Sequence, residues 1–398
     1  MNINDLPDDC LLLIFDQFYQ LRQFATLMKV CRRWKILVEK RLKKITHLHI
    51  ALITPSERLM QLDDTCEQKH LPSTHEGVIT ISQDFLEKIE LSELLSNVKI
   101  IHLENFADNC LCVALAHLLT NANQIKGLSC FDYPPQMNHE CNIMKRITPF
   151  LSHIQVLRIS NYALLTSYLR TFGHLKKLKS LGSSNYFQPV NLLHVLKFAQ
   201  FLTNLERLVA FCDDEFDYHF IQLESHLPIF GNLLHLQLQD KSLNGSNFIK
   251  FLNLCPNLIN LSLTVFLGKM DRIHQINRNF NVQRLDLFLP PVGLEKKLKT
   301  TEKFPNCRYL SISSVCVLPS QDLIQIISTL PNLSLLHVQN DCTDLAEIQI
   351  VKNYCHSQNP KIDVYFGSTD EKLMMSHELY RKFCNSFLHI SSREVKHF

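Results

Sequence analysis

Fourteen cysteines and 19 histidines are the residues of this chain best suited to nucleophilic or metal chemistry. The cysteines are scattered, and no C-x-x-C pair, H-E-x-x-H motif or G-x-S-x-G motif is present. Glycine is scarce, at 9 residues in 398, and no phosphate-binding G-x-G-x-x-G or G-x-x-x-x-G-K-[ST] loop occurs. The sequence therefore predicts no catalytic residue, no metal site and no nucleotide or other cofactor. The cysteines are expected to be small buried hydrophobes in a reducing compartment.

The charge of the chain gives no support for a nucleic-acid partner. Lysine and arginine number 41 and aspartate and glutamate 38, which leaves a formal net charge of +3. The lysine runs at 176–179 and 296–299 are typical of solvated helix faces. The acidic segment Cys212–Asp217 is typical of a solvated loop or of a contact with a basic partner, and it lacks the spacing of a calcium-binding loop.

The hydropathy pattern predicts no membrane span, because no stretch approaches about 18 consecutive apolar residues. The first apolar run, Leu11–Phe15, follows aspartates rather than a basic stretch, unlike a secretory signal. We therefore expect a cytoplasmic or nuclear location, or both.

Residues 1–44 are predicted to form three short helices. Leu6-Pro7-Asp8-Asp9 favours a helix start, because proline suits the first turn and acidic side chains suit the positive end of the helix dipole. Apolar residues then recur at spacings of three and four, first over Leu11–Phe18 and then over Leu21–Val30. A third helix is expected over Cys31–Leu42. So small a module carries more apolar residues than one core can hide, which predicts a partner surface.

This N-terminal segment resembles an F-box in two linked patterns, Leu6-Pro7-x-x-x-Leu11-x-x-x-Phe15 and Phe24-x-x-Leu27-x-x-Val30-Cys31-Arg32-Arg33-Trp34. The resemblance covers nearly the whole motif, and the single tryptophan of the chain stands where that family has one. In the family the motif binds a Skp-type adaptor, which connects it to a cullin and a RING protein. Carried over to this chain, the resemblance implies an adaptor-binding set of Leu6, Pro7, Leu11, Ile14, Phe15, Val30, Cys31 and Trp34.

From residue 45 onward one phrase recurs, apolar-x-x-apolar-x-apolar. Its middle anchors stand at positions 101, 128, 157, 181, 208, 236, 261, 285, 310 and 336, so they are 24 to 29 residues apart. That is the period of leucine-rich repeats, in which each unit contributes a strand and a helical segment. An earlier phrase around Leu48 lies about two periods before the first anchor, and a degenerate unit is expected at Val78–Ile81. Ile362–Phe366 alternates like a closing strand.

The predicted fold class is α/β, with an N-terminal three-helix F-box over residues 1–44. A right-handed leucine-rich-repeat solenoid follows over residues 45–367, with about 11–12 irregular repeats of 24–29 residues, each a strand plus a helix. Residues 368–398 are expected to form a C-terminal helical cap and tail, with its helix at 371–387. Helices between strands are expected at Leu111–Leu119, Leu192–Leu202, Phe248–Leu254 and Leu323–Leu330.

The repeat region resembles the leucine-rich-repeat class of F-box proteins. The phrases Cys255-Pro256-Asn257-Leu258 and Leu330-Pro331-Asn332-Leu333, each just before a strand, carry that resemblance. The asparagine or cysteine that the class places after the strand is mostly absent from this chain, as at Phe266 and Pro290.

Alternation along each strand predicts which side chains line the concave face, since the apolar anchors point into the core. Aromatic residues beside arginines are typical of protein-binding hot spots, although phenylalanines just after a strand can also tuck under neighbouring loops. A dozen strands about 4.8 Å apart span on the order of 50 Å, which suits a folded protein or extended peptide. The candidate substrate-binding residues are Phe131, Arg158, Arg207, Phe211, His235, Arg284, Asp286, Phe288, Tyr309 and His337.

The sequence thus predicts a non-catalytic substrate-recognition subunit of an SCF-type (Skp–cullin–F-box) ubiquitin ligase. The F-box would bind the adaptor, and the repeats would bind a protein target for ubiquitination and proteasomal degradation. The alternative is a leucine-rich-repeat scaffold that sequesters a protein partner without ubiquitination. A glycosylated extracellular receptor would need a signal peptide, and two of its three Asn-x-Ser/Thr sites, at Asn260 and Asn332, overlap strand phrases.

Overall fold

The computed structural model describes most of the chain in segments. The described residues are 3–18, 21–51, 78–81, 96–104, 125–131, 154–159, 178–182, 190–212, 220, 226–240, 247–265, 275–289, 293–314, 318–339 and 344–367. They fall into two compact units, with the division between Lys177 and Leu178. Within these segments, none of the helices is both long enough and apolar enough to cross a membrane.

The first unit begins with the three predicted helices. A 3₁₀ turn at Ile3–Asp5 precedes α1 (Asp8–Phe15), α2 (Leu21–Leu27) and α3 (Arg32–Leu42). Pro7 occupies the cap position of α1, and two aspartates lie in its first turn, as the dipole argument requires. The apolar positions at helical spacing face one another, so that the buried side chains include Leu11, Phe15, Leu21, Phe24, Trp34, Val38 and Leu42.

Five parallel strands complete the described part of the first unit. They are β1 (His47–Ala51), β2 (Val78–Ile81), β3 (Ile100–Glu104), β4 (Gly127–Phe131) and β5 (Val156–Ile159). The strand expected at 78–81 is confirmed, but it does not lie between its sequence neighbours. Leu48 of β1 is paired with Ile79 on one side and with Ile101 on the other, so the order is β2-β1-β3-β4-β5.

The second unit contains a parallel sheet in which the main strands follow sequence order. Its strands are β6 (Ser180–Gly182), β7 (Val190–Asn191), β8 (Arg207–Cys212), β9 (His235–Asp240), β10 (Asn260–Val265), β11 (Arg284–Leu289), β12 (Tyr309–Ser314), β13 (Leu335–Gln339) and β14 (Asp363–Phe366). Their order is β6-β8-β9-β10-β11-β12-β13-β14, and the short β7 also pairs with β8. β14 is the closing strand predicted from the alternation over 362–366.

Helices connect several of these strands. They are α4 (Leu192–Leu196), α5 (Asn247–Asn253), α6 (Leu294–Thr301), α7 (Ser320–Ser328) and α8 (Leu345–Ser357), with a 3₁₀ turn at Ala199–Phe201. The helices expected at 192–202, 248–254 and 323–330 are therefore present within a few residues. The helices expected at 111–119 and 371–387, and the acidic segment after Cys212, lie outside the described residues. The predicted fold class is confirmed: F-box-type helices are followed by a long parallel sheet with helices.

The leucine anchors of the repeat lie in register across the second unit. Leu208, Leu236, Leu261, Leu285, Leu310 and Leu336 occupy matching positions on β8 to β13, and all six are fully buried. Four cysteines of this unit are also buried: Cys212, Cys255, Cys307 and Cys355. Burial raises the pKa of the Cys255 and Cys307 thiols, and it raises that of Cys355 to about 11. These thiols therefore stay protonated at neutral pH and act as packing groups.

An asparagine ladder holds successive turns together just before the strands. Each asparagine side chain donates to a backbone carbonyl in the preceding repeat's turn: Asn232 to Thr203 (2.8 Å), Asn257 to Gly231 (2.8 Å), Asn281 to Pro256 (3.1 Å), Asn306 to Phe280 (2.8 Å) and Asn332 to Pro305 (3.3 Å). These carbonyls have no strand partner, so the side-chain amides supply the missing hydrogen bonds.

Candidate functional site

The N-terminal motif places its aromatic residues inside the helical domain. Phe15 of α1 and Trp34 of α3 meet edge to face, with ring centroids 5.2 Å apart. Phe15 and Leu11 are fully buried and Trp34 is only 7% exposed. The Sγ atom of Cys31 accepts a hydrogen bond from the Trp34 backbone N–H at 3.4 Å and so caps α3. These four residues fix how α1 and α3 pack together.

The eight residues of the predicted adaptor-binding set fall into three groups. Leu11, Phe15 and Trp34 are buried, Leu6, Ile14 and Cys31 are half-buried, and Pro7 and Val30 are exposed. The first group builds the domain, and only the other two groups present atoms to a partner in this conformation. The assignment of the set to an adaptor stays a prediction.

Two apolar side chains that the motif did not single out also face solvent. Leu13 of α1 and Ile36 of α3 lie on the sides of their helices opposite the core, and both are more than half exposed. With Ile3 and Val30 they give the described part of this small domain four exposed large hydrophobic residues. Their signal in the sequence was an apolar residue out of phase with the helical core pattern.

Arg33 holds the segment before α1 against the start of α3. Its guanidinium donates to the backbone carbonyl of Asn4 at 2.6 Å and to that of Leu6 at 2.6 Å. It also pairs with the Asp8 carboxylate, with Nη2 and Oδ1 2.7 Å apart. A planar fork with five N–H donors makes this threefold contact possible, and a lysine cannot reproduce it. Arg33 therefore determines where Leu6 and Pro7 are presented.

A second charged contact ties the opposite end of these helices. Arg41, buried near the end of α3, forms an ion pair with Asp16 just after α1. Removing one partner of a buried ion pair leaves the other charge uncompensated, which is strongly destabilising. Arg33 and Arg41 together fix α3 against both ends of α1.

In the second unit, the residues that alternate with the leucine anchors form three rows across β8 to β13, which we call the polar face. The first row contains Arg207, His235, Asn260, Arg284, Tyr309 and Leu335. The second contains Val209, Gln237, Ser262, Asp286, Ser311 and His337. The third contains Phe211, Gln239, Thr264, Phe288, Ser313 and Gln339.

The register therefore brings together eight of the ten predicted substrate-binding residues. Arg207, His235, Arg284 and Tyr309 share the first row, Asp286 and His337 the second, and Phe211 and Phe288 the third. Phe131 and Arg158 lie instead on β4 and β5 of the first unit. Arg284, Tyr309 and His337 are buried, whereas the other five on the polar face are half-buried. Whether these residues bind a substrate stays a prediction.

Asn260 is the polar member of the first row that sequence reasoning missed. It stands just before the anchor Leu261, at the same position as His235 and Arg284 on the neighbouring strands. Its side-chain amide nitrogen lies 2.9 Å from Nδ1 of His235. The repeat position alone was enough to identify it.

Arg284 contacts both an acidic and an aromatic side chain within the polar face. Its guanidinium forms an ion pair with Asp286, with Nε 2.9 Å from Oδ2, and lies 4.6 Å from the centroid of the Tyr309 ring. Burial raises the pKa of Asp286, and the Arg284 charge acts in the opposite direction. The pair is held by hydrogen bonds as well as by charge, as a buried ion pair requires.

His235 is neutral at physiological pH. Burial, followed by the Arg207 and Arg284 charges, lowers its pKa from 6.5 to about 3. The uncharged ring can accept the Asn260 amide hydrogen through Nδ1, whereas an imidazolium could not. His235 therefore acts in this row as a hydrogen-bonding group and not as a cation.

The described residues were compared with the side-chain groupings that bind metals and protein partners. Among them, no group of three or more His, Cys, Asp or Glu side chains is arranged to hold a metal ion. The polar face offers aromatic rings, guanidinium groups and amide side chains in rows set by the strand spacing. These are the residue types that carry binding energy in protein–protein interfaces.

Comparisons with known proteins agree with the N-terminal architecture. Residues 3–44 match the family model described as F-box-like. No curated protein sequence matches the chain. In fold, the chain is similar to a chain in the crystal structure of the Rad7 and Elc1 complex from yeast, with 18% identity over 73% of this chain and 79% of that one and a TM-score of 0.45. It is also similar to a protein from Bacteroides fragilis, with 13% identity, coverages of 72% and 69%, and a TM-score of 0.33.

Proposed function

We propose that this chain is the substrate-recognition subunit of an SCF-type ubiquitin ligase. The premise is that an F-box-like domain at residues 3–44 precedes a repeat domain of parallel strands. Its F-box-like domain binds a Skp-type adaptor, which connects it to a cullin and a RING protein. Its repeat domain binds a protein that is then ubiquitinated and degraded by the proteasome. The chain itself supplies no catalytic group.

The F-box-like match over residues 3–44 is the observation that carries this proposal. The geometry supports it, because the domain exposes Pro7, Val30, Leu13 and Ile36 around a fully built core. These exposed apolar residues offer surface that a partner can cover. Arg33 holds Leu6 and Pro7 in place before any partner arrives, which reduces the ordering cost of binding.

The mechanism we propose is one of proximity. A target bound to the repeat domain is held near the conjugating enzyme that the cullin and RING protein recruit, so its lysines meet the charged ubiquitin at a high effective concentration. The aromatic and guanidinium groups of the polar face support a protein target in preference to a metabolite. A cytoplasmic or nuclear location would accord with such a role.

Co-purification with the adaptor tests the first half of the proposal. The full chain should retain a Skp-type adaptor together with a cullin. The double variant Pro7→Ala plus Val30→Asp should lose at least about 90% of it, since each interface anchor contributes about 2 kcal/mol. Both residues are exposed, so the core around Phe15 stays intact. Leu345→Asp, an exposed apolar residue of the repeat domain, is the matched control. Equal adaptor recovery from the double variant and the wild type would contradict the proposal.

Target turnover tests the second half. Proteins captured by the repeat domain should accumulate when the proteasome is inhibited, and the Pro7→Ala plus Val30→Asp variant should stabilise them without inhibitor. Partners whose abundance responds to neither treatment would instead identify the chain as a scaffold that sequesters a protein without ubiquitination.

A further inference from the structure

Large apolar side chains are exposed at the turns that precede the strands of the second unit. Phe201 before β8 is 42% exposed, Ile229 before β9 is 70% exposed and Phe280 before β11 is 58% exposed. Pro256, in the corresponding turn before β10, is exposed as well. We call these four residues the turn-edge patch. They belong to four successive repeats, so the patch extends over about 14 Å at a strand spacing of about 4.8 Å.

Neighbouring residues widen this patch. Leu234, Leu254 and Ile259, from the same turns, are half-buried and add apolar surface between its members. Single exposed hydrophobic residues are common on protein surfaces, whereas here three of four adjacent repeats expose a large one and the fourth exposes a proline. The patch lies at the edge that precedes the strands, and it shares no residue with the polar face.

The turns that carry the patch are already held rigid by hydrogen bonds. The backbone N–H of Ile259 donates to Leu234 and that of Gln283 donates to Ile259, both at 2.8 Å. The asparagine ladder occupies the carbonyls of Gly231, Pro256 and Phe280. With the backbone of the patch engaged in this way, a partner does not add a strand here and must be recognised through side chains.

Positive charge adjoins the patch on the side toward β12. Arg278 lies two residues before Phe280, and Arg308 stands just before β12, and both are exposed. The acidic side chains in the same turns are those of Glu302 and Glu206, and Glu206 pairs with Lys179 at 3.1 Å, so the two arginines leave the local balance cationic. A row of apolar side chains followed by arginines is complementary to a segment that carries apolar and acidic residues.

We propose that the turn-edge patch binds an extended segment of a partner protein in which apolar and acidic residues are interspersed. The apolar side chains of that segment cover Phe201, Ile229 and Phe280, and its carboxylates meet Arg278 and Arg308. The inference rests on the proposed role of the repeat domain in target binding, and it gives that target a chemical class.

The test uses the full chain and three fluorescein-labelled peptides of 12 residues. The first alternates leucine or phenylalanine with aspartate or glutamate, the second has lysine in place of the acidic residues, and the third has serine in place of the apolar ones. Fluorescence anisotropy should show the first peptide binding at least about tenfold more tightly than either of the others, with an affinity that falls as salt is raised. Equal affinities for all three peptides would overturn the proposal.

Variants locate the binding to the patch. Ile229→Asp and Phe280→Asp should each weaken the first peptide by about tenfold or more, and Arg278→Glu by about threefold. Arg278→Lys, which keeps the charge, should restore most of that loss. The control Leu345→Asp introduces the same charge at an exposed apolar residue of α8 and should leave the affinity unchanged. Losses that are equal for Ile229→Asp and Leu345→Asp would contradict the assignment.

Two further measurements distinguish peptide binding at the patch from self-association and from the ligase role. Sedimentation of the wild type and Ile229→Asp tests whether the patch joins two copies of the chain, and self-association that the substitution abolishes would overturn the proposal in favour of a dimer. Adaptor recovery from Ile229→Asp should equal that of the wild type. A wild-type chain that binds the first peptide and no adaptor would refute the ligase role while leaving the patch assignment standing.

Discussion

The F-box-like domain and the repeat domain both bury an aromatic pair and an arginine–aspartate ion pair, but they order their surfaces in different ways. In the F-box-like domain, Phe15 and Trp34 form the interior, and the Arg33–Asp8 pair lies at the surface. In the repeat domain, the leucine anchors and phenylalanines such as Phe251 form the interior, the Arg284–Asp286 pair is largely buried on the polar face, and Phe280 is exposed at a turn. A long stack of repeats can therefore fill its core and also place large side chains at its turns, where a partner can meet them.

This difference determines how each region specifies a surface. In the F-box-like domain a particular residue type is required at a particular position, because Arg33 alone makes three contacts that order the Leu6–Pro7 segment. In the repeat domain the register is required and the residue type is free, because the strands align whatever side chain stands beside each leucine. The first surface is therefore suited to one partner, and the second can be adapted to many.

The largest expected effect comes from Phe15→Ala. Phe15 is fully buried against Trp34, and removing a buried phenylalanine ring costs about 3–5 kcal/mol. Because Trp34 is the single tryptophan of the chain, its fluorescence reports the unfolding of this domain separately from the repeats. We expect the urea midpoint measured by fluorescence to collapse and adaptor binding to be lost.

The control for this substitution is Leu13→Ala, since Leu13 lies exposed on the same helix. Its midpoint should stay within the range of a surface change, about 0.5 kcal/mol. Equal midpoints for Phe15→Ala and Leu13→Ala would mean that the buried aromatic pair does not hold the domain together.

A smaller effect is expected from acid in the repeat domain. The pKa of His235 is about 3 in the folded chain and near 6.5 when unfolded, so in mild acid only the unfolded chain takes up the proton. The contribution of His235 to the free energy of unfolding is therefore lost as the pH falls below 6.5. The loss between pH 7 and pH 5 is about 2 kcal/mol. Urea unfolding followed by circular dichroism should show a shallower pH dependence in His235→Gln.

Comparing the variant with the wild type cancels the carboxylates, including Asp286, whose raised pKa acts with the opposite sign at lower pH. His356→Gln, at an exposed histidine of α8, should keep the wild-type pH dependence. If the free energy of unfolding of the wild type and of His235→Gln had the same pH dependence, the folded chain would not keep the proton off His235.

Arg33→Gln should weaken adaptor binding by about tenfold, equivalent to 1.4 kcal/mol, because the Leu6–Pro7 segment loses its charged contacts. Arg33→Lys should give an intermediate loss, since an ammonium keeps the charge without the planar fork. Isothermal titration with the purified adaptor measures both. The neighbouring exposed Arg32→Gln is the control, and a loss as large as that of Arg33→Gln would assign the effect to net charge instead of position.

The smallest effect is expected from Asn306→Ala. The substitution removes the 2.8 Å hydrogen bond to the Phe280 carbonyl and an acceptor used by Asn332, at a cost of about 1 kcal/mol. Urea unfolding followed by circular dichroism measures the cost, and Gln321→Ala on the exposed side of α7 provides the baseline. Equal free energies of unfolding for the two variants would show that the asparagine ladder does not hold successive turns together.

Sequence patterns predicted the elements of both regions, because Leu-Pro, Cys-Arg-Arg-Trp and the recurring leucine phrase are local signals with fixed spacing. They did not predict that β1 lies between β2 and β3, since strand order depends on which edges meet after folding. They placed Arg284, Tyr309 and His337 at positions that alternate with the leucine anchors, but the alternation rule carries no information on burial. The contacts of Arg33 and the exposure of Phe280 depend on which segments meet after folding. A sequence pattern does not contain that information.

The asparagine ladder has a consequence for how such a chain can change through evolution. Each ladder asparagine hydrogen-bonds to the turn of the preceding repeat. The residues between the end of one strand and the next ladder asparagine take no part in these bonds. Residues gained or lost in that interval leave the next strand at the same starting point, so the frame of the repeat survives changes in length. Across the repeats that the ladder joins, the interval between anchors varies from 24 to 28 residues, as that tolerance allows. New loops can therefore be acquired one repeat at a time, without a compensating change elsewhere in the sheet.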